Sequence, residues 1–104
     1  MKRIVQLSKI FSDSNRVKIL ALILRDKEIC VCEICDTLQL SQPLVSRHLK
    51  QMREADILDS RQAGKWVTYF LKERNDPFLQ CCIAEIRKEL PSLPKLAVCK
   101  TKYC

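Results

Sequence analysis

Three cysteines lie close together in one short segment: Cys30, Cys32 and Cys35 follow the spacing C-x-C-x-x-C. Cys32 and Cys35 are three residues apart, so a helix would place them side by side on one face. In a regular helix Cys30 and Cys32 would point about 160° apart. All three sulfurs can therefore bind one ion only if the chain is non-helical at or before Cys32. Recruiting Cys30 to such an ion should distort the start of the helix.

The donor set indicates which ion would bind. Thiolates without imidazole or oxygen donors select soft, thiophilic ions, and a tetrahedral zinc site usually has four ligands. Three sulfurs suit trivalent arsenic or antimony, while lead, cadmium and mercury stay open on chemistry alone. The chain has seven cysteines and no export signal, which favours metal or thiol chemistry over a disulfide scaffold. We expect no permanently bound cofactor.

Ordinary burial is the alternative explanation for these cysteines. Val31, Ile34 and Leu38 define the apolar side of the predicted helix. Cys35, and Cys30 if the helix extended back to it, would flank that side at about 65–75°, but Cys32 lies about 125° from its centre. Burial can therefore account for Cys35 and perhaps for Cys30, and it accounts poorly for Cys32.

A second motif begins six residues after Cys35, where Ser41 can cap a helix that runs to about Ala55. On the helical wheel its apolar side opposes a polar and basic stripe, which suits contacts with phosphates and base edges in a major groove. His48 lies about 65° from the centre of the apolar side, so we expect it to pack at the flank or touch a phosphate. The predicted DNA-binding residues are Ser41, Gln42, Pro43, Ser46, Arg47, His48, Lys50, Arg61 and Lys65.

The remaining elements must position these two motifs. The pattern predicts helices over residues 1–10, from Asp13, over 31–38 and over 41–55, then a hairpin over 57–71 with its tip at 62–65. A fifth helix, capped by Asp76, carries the stripe Leu79, Ile83, Ile86 and Leu90. This order predicts a mostly α, α+β fold: a winged helix-turn-helix domain over 1–90 with flanking dimerisation helices, followed by a tail over 91–104.

Composition narrows the classes of partner. The 104 residues are enough for one domain, and a net charge of +7 with pI near 9.2 favours a polyanion. No segment has the ~18 consecutive apolar residues of a membrane helix, and the N-terminus has no apolar signal region. We therefore expect a cytoplasmic protein with nucleic acid, not a membrane, as its partner.

Three segments together resemble the ArsR/SmtB family, and within it the arsenical-responsive repressors. The family's ELCVCDLC motif appears as EICVCEIC at 28–35, its SQPxxSRHL motif as SQPLVSRHL at 41–49, and its GKWVxY motif as GKWVTY at 64–69. The resemblance covers roughly residues 5 to 75. It implies a homodimer, formed by the first and last helices, that binds the operator DNA of an arsenic-resistance operon. It further implies release from that DNA by arsenite or antimonite. A repressor that senses lead, cadmium or thiol oxidation is the alternative.

Two features fall outside this resemblance. The family's zinc site on the last helix needs histidines and acids that this chain lacks there, so zinc sensing is not carried over. Cys81, Cys82, Cys99 and Cys104 leave a second thiol site open, although Cys82 is better explained as interface packing.

An enzyme is the alternative from a different class of protein. The spacing from Cys81 to Arg87 matches that of phosphate-loop cysteine enzymes, but this segment has a helical apolar stripe and no glycine. We therefore expect that the chain is not an enzyme.

The dimer is expected to need both terminal helices. Their apolar stripes call for burial that one small domain does not readily provide, and Ile83→Glu is expected to yield a monomer. These stripes are Ile4, Leu7 and Ile10 in the first helix and Leu79, Ile83 and Ile86 in the fifth.

Overall fold

Five α-helices and a three-stranded antiparallel sheet form the computed structural model, which describes residues 1–72 and 76–95. The strands lie side by side in the order β1-β3-β2. Within these ranges no helix is long and apolar enough to cross a membrane. The elements are α1 (Lys2–Ile10), α2 (Ser14–Asp26), β1 (Glu28–Cys30), α3 (Val31–Leu38), α4 (Gln42–Glu54), β2 (Leu58–Ala63), β3 (Trp66–Leu71), α5 (Pro77–Arg87) and a 3-10 turn (Leu90–Ser92).

This arrangement confirms the predicted winged helix-turn-helix and its α+β class. The short strand β1 was not predicted, because three residues are too few to show the alternation typical of a strand. It pairs with β3, opposite Thr68 to Phe70, and so makes the wing hairpin part of a larger sheet. The chain is therefore extended at Cys30 and becomes helical at Val31, so it is non-helical at one of the two positions that the thiol geometry allows.

Helix α2 runs through the middle of the core. Six consecutive residues, Ile19 to Leu24, are buried, so this helix is apolar on more than one face. Asp13 caps it as predicted: its Oδ1 accepts hydrogen bonds from the backbone N–H groups of Asn15 at 2.8 Å and Arg16 at 3.3 Å.

The hydrogen bonds that Asp13 accepts as a cap also affect the pKa of its carboxyl group. Burial raises the pKa of this carboxyl, but the two backbone donors and the nearby charges of His48 and Arg16 outweigh that effect, so the pKa lies below its usual value. A carboxyl with a lowered folded-state pKa stabilises the fold above its unfolded pKa. That contribution is lost as the pH falls through the folded pKa.

Replacing the Asp13 cap is expected to weaken the fold measurably. Asp13→Ala should lower the free energy of unfolding, because two N–H groups at the start of α2 lose their acceptor. Asp13→Asn keeps an acceptor and should stay near wild type in the same denaturant titration at neutral pH. Equal losses in the two variants would mean that the carboxylate charge matters and the cap does not.

The stripes assigned to a dimer interface are mostly covered within the chain, and this corrects the expectation from sequence. Leu7 and Ile10 of α1, and Leu79, Ile83 and Ile86 of α5, are buried in the core. The physical reason is α2: because it is apolar on several faces, it offers a surface on which α5 packs. The large apolar side chains left exposed in the described residues are Met1, Ile4, Val5 and Phe78.

The fifth helix ends earlier than predicted. Its predicted apolar stripe extended to Leu90, but its last helical residue is Arg87. Pro91 has no N–H to bond to the Arg87 carbonyl, so the i→i+4 pattern cannot continue there. The chain tightens instead, with the N–H of Lys88 bonded to the Glu85 carbonyl and that of Glu89 to the Ile86 carbonyl.

Candidate nucleic-acid interface and thiol site

Helix α4 presents the predicted exposed face. The Ser41 hydroxyl caps it by accepting from the Leu44 backbone N–H at 3.4 Å. Val45, Leu49 and Met52 are fully buried. The side chains predicted to face DNA are all exposed on this helix or at its cap, His48 excepted: Ser41, Gln42, Pro43, Ser46, Arg47 and Lys50.

His48 is placed differently from the rest of that set. Its side chain is only 6% exposed, and neither ring nitrogen has a hydrogen-bond partner within the described part of the chain. It contributes to the electrostatic environment of Asp13, the cap of α2. His48 therefore packs at the flank of α4, as its angle on the wheel suggested, and is not part of the exposed stripe.

A tight turn connects α3 to α4. Gln39 adopts the left-handed conformation, with φ of 57°, and ends α3. The carbonyl of Cys35 accepts from the backbone N–H groups of Gln39 and Leu40, the latter at 3.1 Å. The backbone of a predicted thiol ligand thus anchors the turn that leads into α4.

The wing is the β2–β3 hairpin. Ala63 and Trp66 are paired, and Gly64 and Lys65 form the turn between them. Gly64 has φ of +64°, a conformation that glycine adopts without strain. Arg61 and Lys65 are both exposed, so the wing carries two cations as predicted.

Cys30 stands at the junction of β1 and α3. It is 2% exposed and is the N-cap of α3, in a capping box with Glu33. The Glu33 carboxylate accepts from the Cys30 backbone N–H at 3.1 Å, and the Cys30 side chain accepts from the Glu33 backbone N–H. Cys30 is more buried than the wheel suggested, because it belongs to a paired strand and not to the helix.

Cys32 and Cys35 follow in α3, and both are half-buried. Cys35 packs against the hydrophobic core, which agrees with the burial predicted for it. Cys32 is disulfide-bonded in the structure, so its sulfur must be reduced before it can bind an ion. Within residues 1–72 and 76–95 no group of three ligating side chains is already assembled.

Of the cysteines near the C-terminus, the structure describes Cys81 and Cys82, and their surroundings are less suitable for binding a soft ion. Burial raises the pKa of the Cys82 thiol, and the neighbouring Cys81 and Asp76 raise it further. The thiol is therefore protonated at neutral pH and a poor ligand, which favours the packing role predicted for it. Cys99 and Cys104 lie outside the described residues. Cys81 and Arg87 belong to a regular helix, not to a phosphate-binding loop.

The sequence did not indicate that two further residues, Glu28 and Thr68, connect the thiol segment to the wing. The Glu28 carboxylate accepts a hydrogen bond from the Thr68 hydroxyl and lies 3.9 Å from the Arg61 Nε. These contacts join the segment of Cys30 to the wing across 40 residues of chain. The sequence carries no local pattern that would pair such distant residues.

The structure has the parts of a winged helix-turn-helix protein. A short helix and a tight turn precede the capped basic helix α4, and a basic hairpin follows it. The model of the family described as bacterial regulatory protein, arsR family, matches residues 13–60. The chain belongs to this ArsR family. The family is one of regulatory proteins, which agrees with the expectation that the chain is not an enzyme.

Known proteins resemble the chain in sequence and in structure. It is 51% identical over 63 residues to the arsenic resistance transcriptional regulator ArsR1 of Pseudomonas putida, covering 61% of this chain and 49% of that protein. It is 46% identical over 67 residues to the arsenical resistance operon repressor of Escherichia coli, covering 64% and 57%. The chain thus spans about half the length of these relatives. The transcriptional regulator HlyU of Vibrio vulnificus matches at a TM-score of 0.66 and 32% identity, covering 88% of this chain and 86% of that one.

Proposed function

We propose that the chain is a transcriptional repressor of an arsenic-resistance operon that responds to arsenite or antimonite. A homodimer would bind operator DNA and leave it when the trivalent ion binds the thiolates of Cys30, Cys32 and Cys35. The observation that carries the proposal is the position of these cysteines in α3 and at its cap, directly before α4. Cys30 caps that helix, and the carbonyl of Cys35 anchors the turn at its other end. The names of the relatives in Pseudomonas putida and Escherichia coli support the same inducer.

The chemistry of binding is an exchange of ligands at arsenic. Each thiol forms an arsenic–sulfur bond, an arsenic–oxygen bond breaks, and the thiol proton leaves with the hydroxide as water. No change of oxidation state is needed once Cys32 is reduced. Soft thiolates suit this ion because neither imidazole nor carboxylate competes well for it.

Binding changes the shape of α3 because Cys30 serves as its cap. Cys32 and Cys35 lie three residues apart in α3 and share a face. Cys30 lies outside the helix, and its sulfur must leave the Glu33 N–H to join the other two. The ion thus gains a ligand only if the start of α3 rearranges. Such a difference in binding energy between two shapes is what couples an inducer to DNA release.

The turn after α3 carries that change to the DNA-binding helix. Two backbone N–H groups of the turn are held by the Cys35 carbonyl, so a rotation of α3 shifts the start of α4. The N-terminus of α4, with Ser41 as its cap, is suited to a DNA phosphate. Ser46, Arg47 and Lys50 would face the major groove.

A homodimer is supported by one exposed apolar patch. Arg3 Nε lies 2.6 Å from Asp76 Oδ2, so the start of α1 is held against the cap of α5. Ile4, Val5 and Phe78 are exposed near this junction, at 51%, 52% and 38%. A second copy would cover them and place two α4 helices for two half-sites.

Removing a cation from the exposed face of α4 is expected to weaken operator binding. Arg47→Ala should lower the affinity by about tenfold or more and make it less dependent on salt, because fewer counterions are released. Arg53→Ala is the matched control, since Arg53 is exposed on the same helix but lies about 120° from Arg47. Fluorescence anisotropy at several salt concentrations measures both. An unchanged affinity in Arg47→Ala would remove this residue from the interface.

The proposed function is tested by a release titration. Reduced protein is bound to operator DNA, and arsenite, antimonite, methylated arsenite, lead, cadmium and zinc are added separately. Arsenite and antimonite should release the DNA at the lowest concentrations, and zinc should have little effect because the proposed site has three ligands and a tetrahedral zinc site usually has four. Release by cadmium or lead alone would contradict the arsenic assignment.

One observation favours a second candidate function, the sensing of thiol oxidation. Cys32 is disulfide-bonded in the structure, and a disulfide at the second residue of α3 would constrain the same helix. The two functions are separated by adding peroxide without arsenite, and arsenite with a reductant. Release by peroxide alone would favour the oxidation sensor.

A further inference from the structure

The thiol segment and the wing belong to the same sheet. Cys30 on β1 lies opposite Thr68 on β3, and Thr68 lies opposite Arg61 on β2. Residues directly opposite each other in an antiparallel sheet share a face, with their Cβ atoms about 4.5–5.5 Å apart. A single row of three residues therefore runs from the proposed arsenic ligand to an exposed cation of the wing.

Glu28 contacts two residues of this row. It lies two positions before Cys30 on β1, so its side chain is on the same face of the sheet. It accepts a hydrogen bond from Thr68 Oγ1, and its Oε2 lies 3.9 Å from Arg61 Nε. The Arg61 guanidinium also lies over the ring of Phe70, with its central carbon 5.1 Å from the ring centroid. The Arg61 side chain is 62% exposed, yet two neighbours hold it in place on the wing.

We propose that Glu28 is a positioning residue that carries the state of the thiol site to the wing. The proposal rests on the function proposed above. Strand β1 has only three residues, with Glu28 at one end and Cys30 at the other. Such a short strand cannot absorb a displacement of Cys30 within itself. When Cys30 joins the ion, Glu28 therefore shifts against β3, and Arg61 loses the partner that places it for the DNA backbone.

Binding of the ion at the thiol site would then change two parts of the DNA-binding surface: the start of α4, through the turn after α3, and the wing, through Glu28. An exposed ion pair contributes little to stability, so replacing Glu28 should leave the fold intact. Its effect should appear in the coupling between arsenite and DNA, defined as the ratio of operator affinities without and with arsenite.

The test compares Glu28→Gln and Thr68→Val with wild type, as reduced full-length protein with sodium arsenite. Both variants should lower the coupling ratio by about three- to tenfold. The arsenite affinity of the DNA-free protein should be unchanged, because all three thiolates remain. Asp59→Asn is the matched control: Asp59 lies opposite Phe70 on the same face of the wing, and its carboxylate accepts from the Ser60 backbone N–H at 2.8 Å. Its coupling ratio should equal that of wild type.

A double substitution sharpens the test. Arg61→Ala should weaken operator binding, and Glu28→Gln added to it should have a smaller effect on the coupling ratio than Glu28→Gln alone. Additive effects of the two changes would overturn the link between Glu28 and Arg61.

The outcomes separate this inference from the proposed function. If arsenite fails to release wild-type protein, the proposed function is wrong. If wild type is released and Glu28→Gln keeps the full coupling ratio, only the role of Glu28 is overturned. Weaker arsenite binding by DNA-free Glu28→Gln would place Glu28 at the ion site and also overturn a positioning role. An equal loss in Asp59→Asn would show a general effect of wing charge.

Discussion

Cys32→Ser is expected to abolish release of operator DNA by arsenite while leaving operator affinity within about twofold of wild type. Cys32 and Cys35 share one face of α3, so loss of either leaves no pair of neighbouring thiolates in this helix. The exposed residues of α4 and the wing are untouched, so the DNA-binding surface should stay intact. A release titration of reduced protein, with DNA binding measured first in the absence of arsenite, checks both statements.

Two further variants locate the sensing site. Cys30→Ser should weaken the response less than Cys32→Ser if two thiolates suffice, and a serine at this N-cap position still caps α3. The quadruple serine variant at Cys81, Cys82, Cys99 and Cys104 should still respond to arsenite. If the quadruple variant loses the response and Cys32→Ser retains it, the sensing site is C-terminal and the assignment to α3 is wrong.

Val5→Glu and Phe78→Glu are each expected to convert a dimer into a folded monomer. Both side chains are exposed in the single chain, so a carboxylate there costs the monomer little but would be buried against a second copy. Operator affinity should fall by about a hundredfold or more, because two linked half-sites are no longer bound together. Sedimentation velocity and anisotropy measure the two effects.

Ile83→Glu is the matched control on the same helix as Phe78, and the expected result differs from the one the sequence suggested. Ile83 is 3% exposed in the core, so the substitution should destabilise the fold by more than about 3 kcal/mol and not merely separate two subunits. Thermal unfolding distinguishes the cases. A wild-type monomer at micromolar concentration, or dimeric Val5→Glu and Phe78→Glu, would contradict the proposed interface.

Much of the fold followed from patterns that are local in the chain. The caps at Asp13, Ser41 and Asp76 satisfy backbone groups two or three residues away, so residue type and position are enough to predict them. The buried face of α4 follows from helical periodicity in the same way. The proposed thiol ligands also follow from a local pattern, because the spacing of Cys32 and Cys35 brings their side chains together in any α-helix.

The sequence by itself therefore determined the order of the five helices and the wing hairpin, the exposed basic stripe of α4 and the spacing of the three cysteines proposed to hold a soft ion. Only the tertiary structure decided that Cys30 lies in a strand paired with the wing, that Glu28 contacts Arg61, and which apolar side chains of α1 and α5 stay exposed. These features depend on residues distant in sequence, such as Glu28 and Thr68, which are 40 positions apart. A three-residue strand gains its stability from such pairing, and a stripe on α5 is covered only because α2 is apolar on the facing side. Neither effect leaves a periodic pattern in the chain.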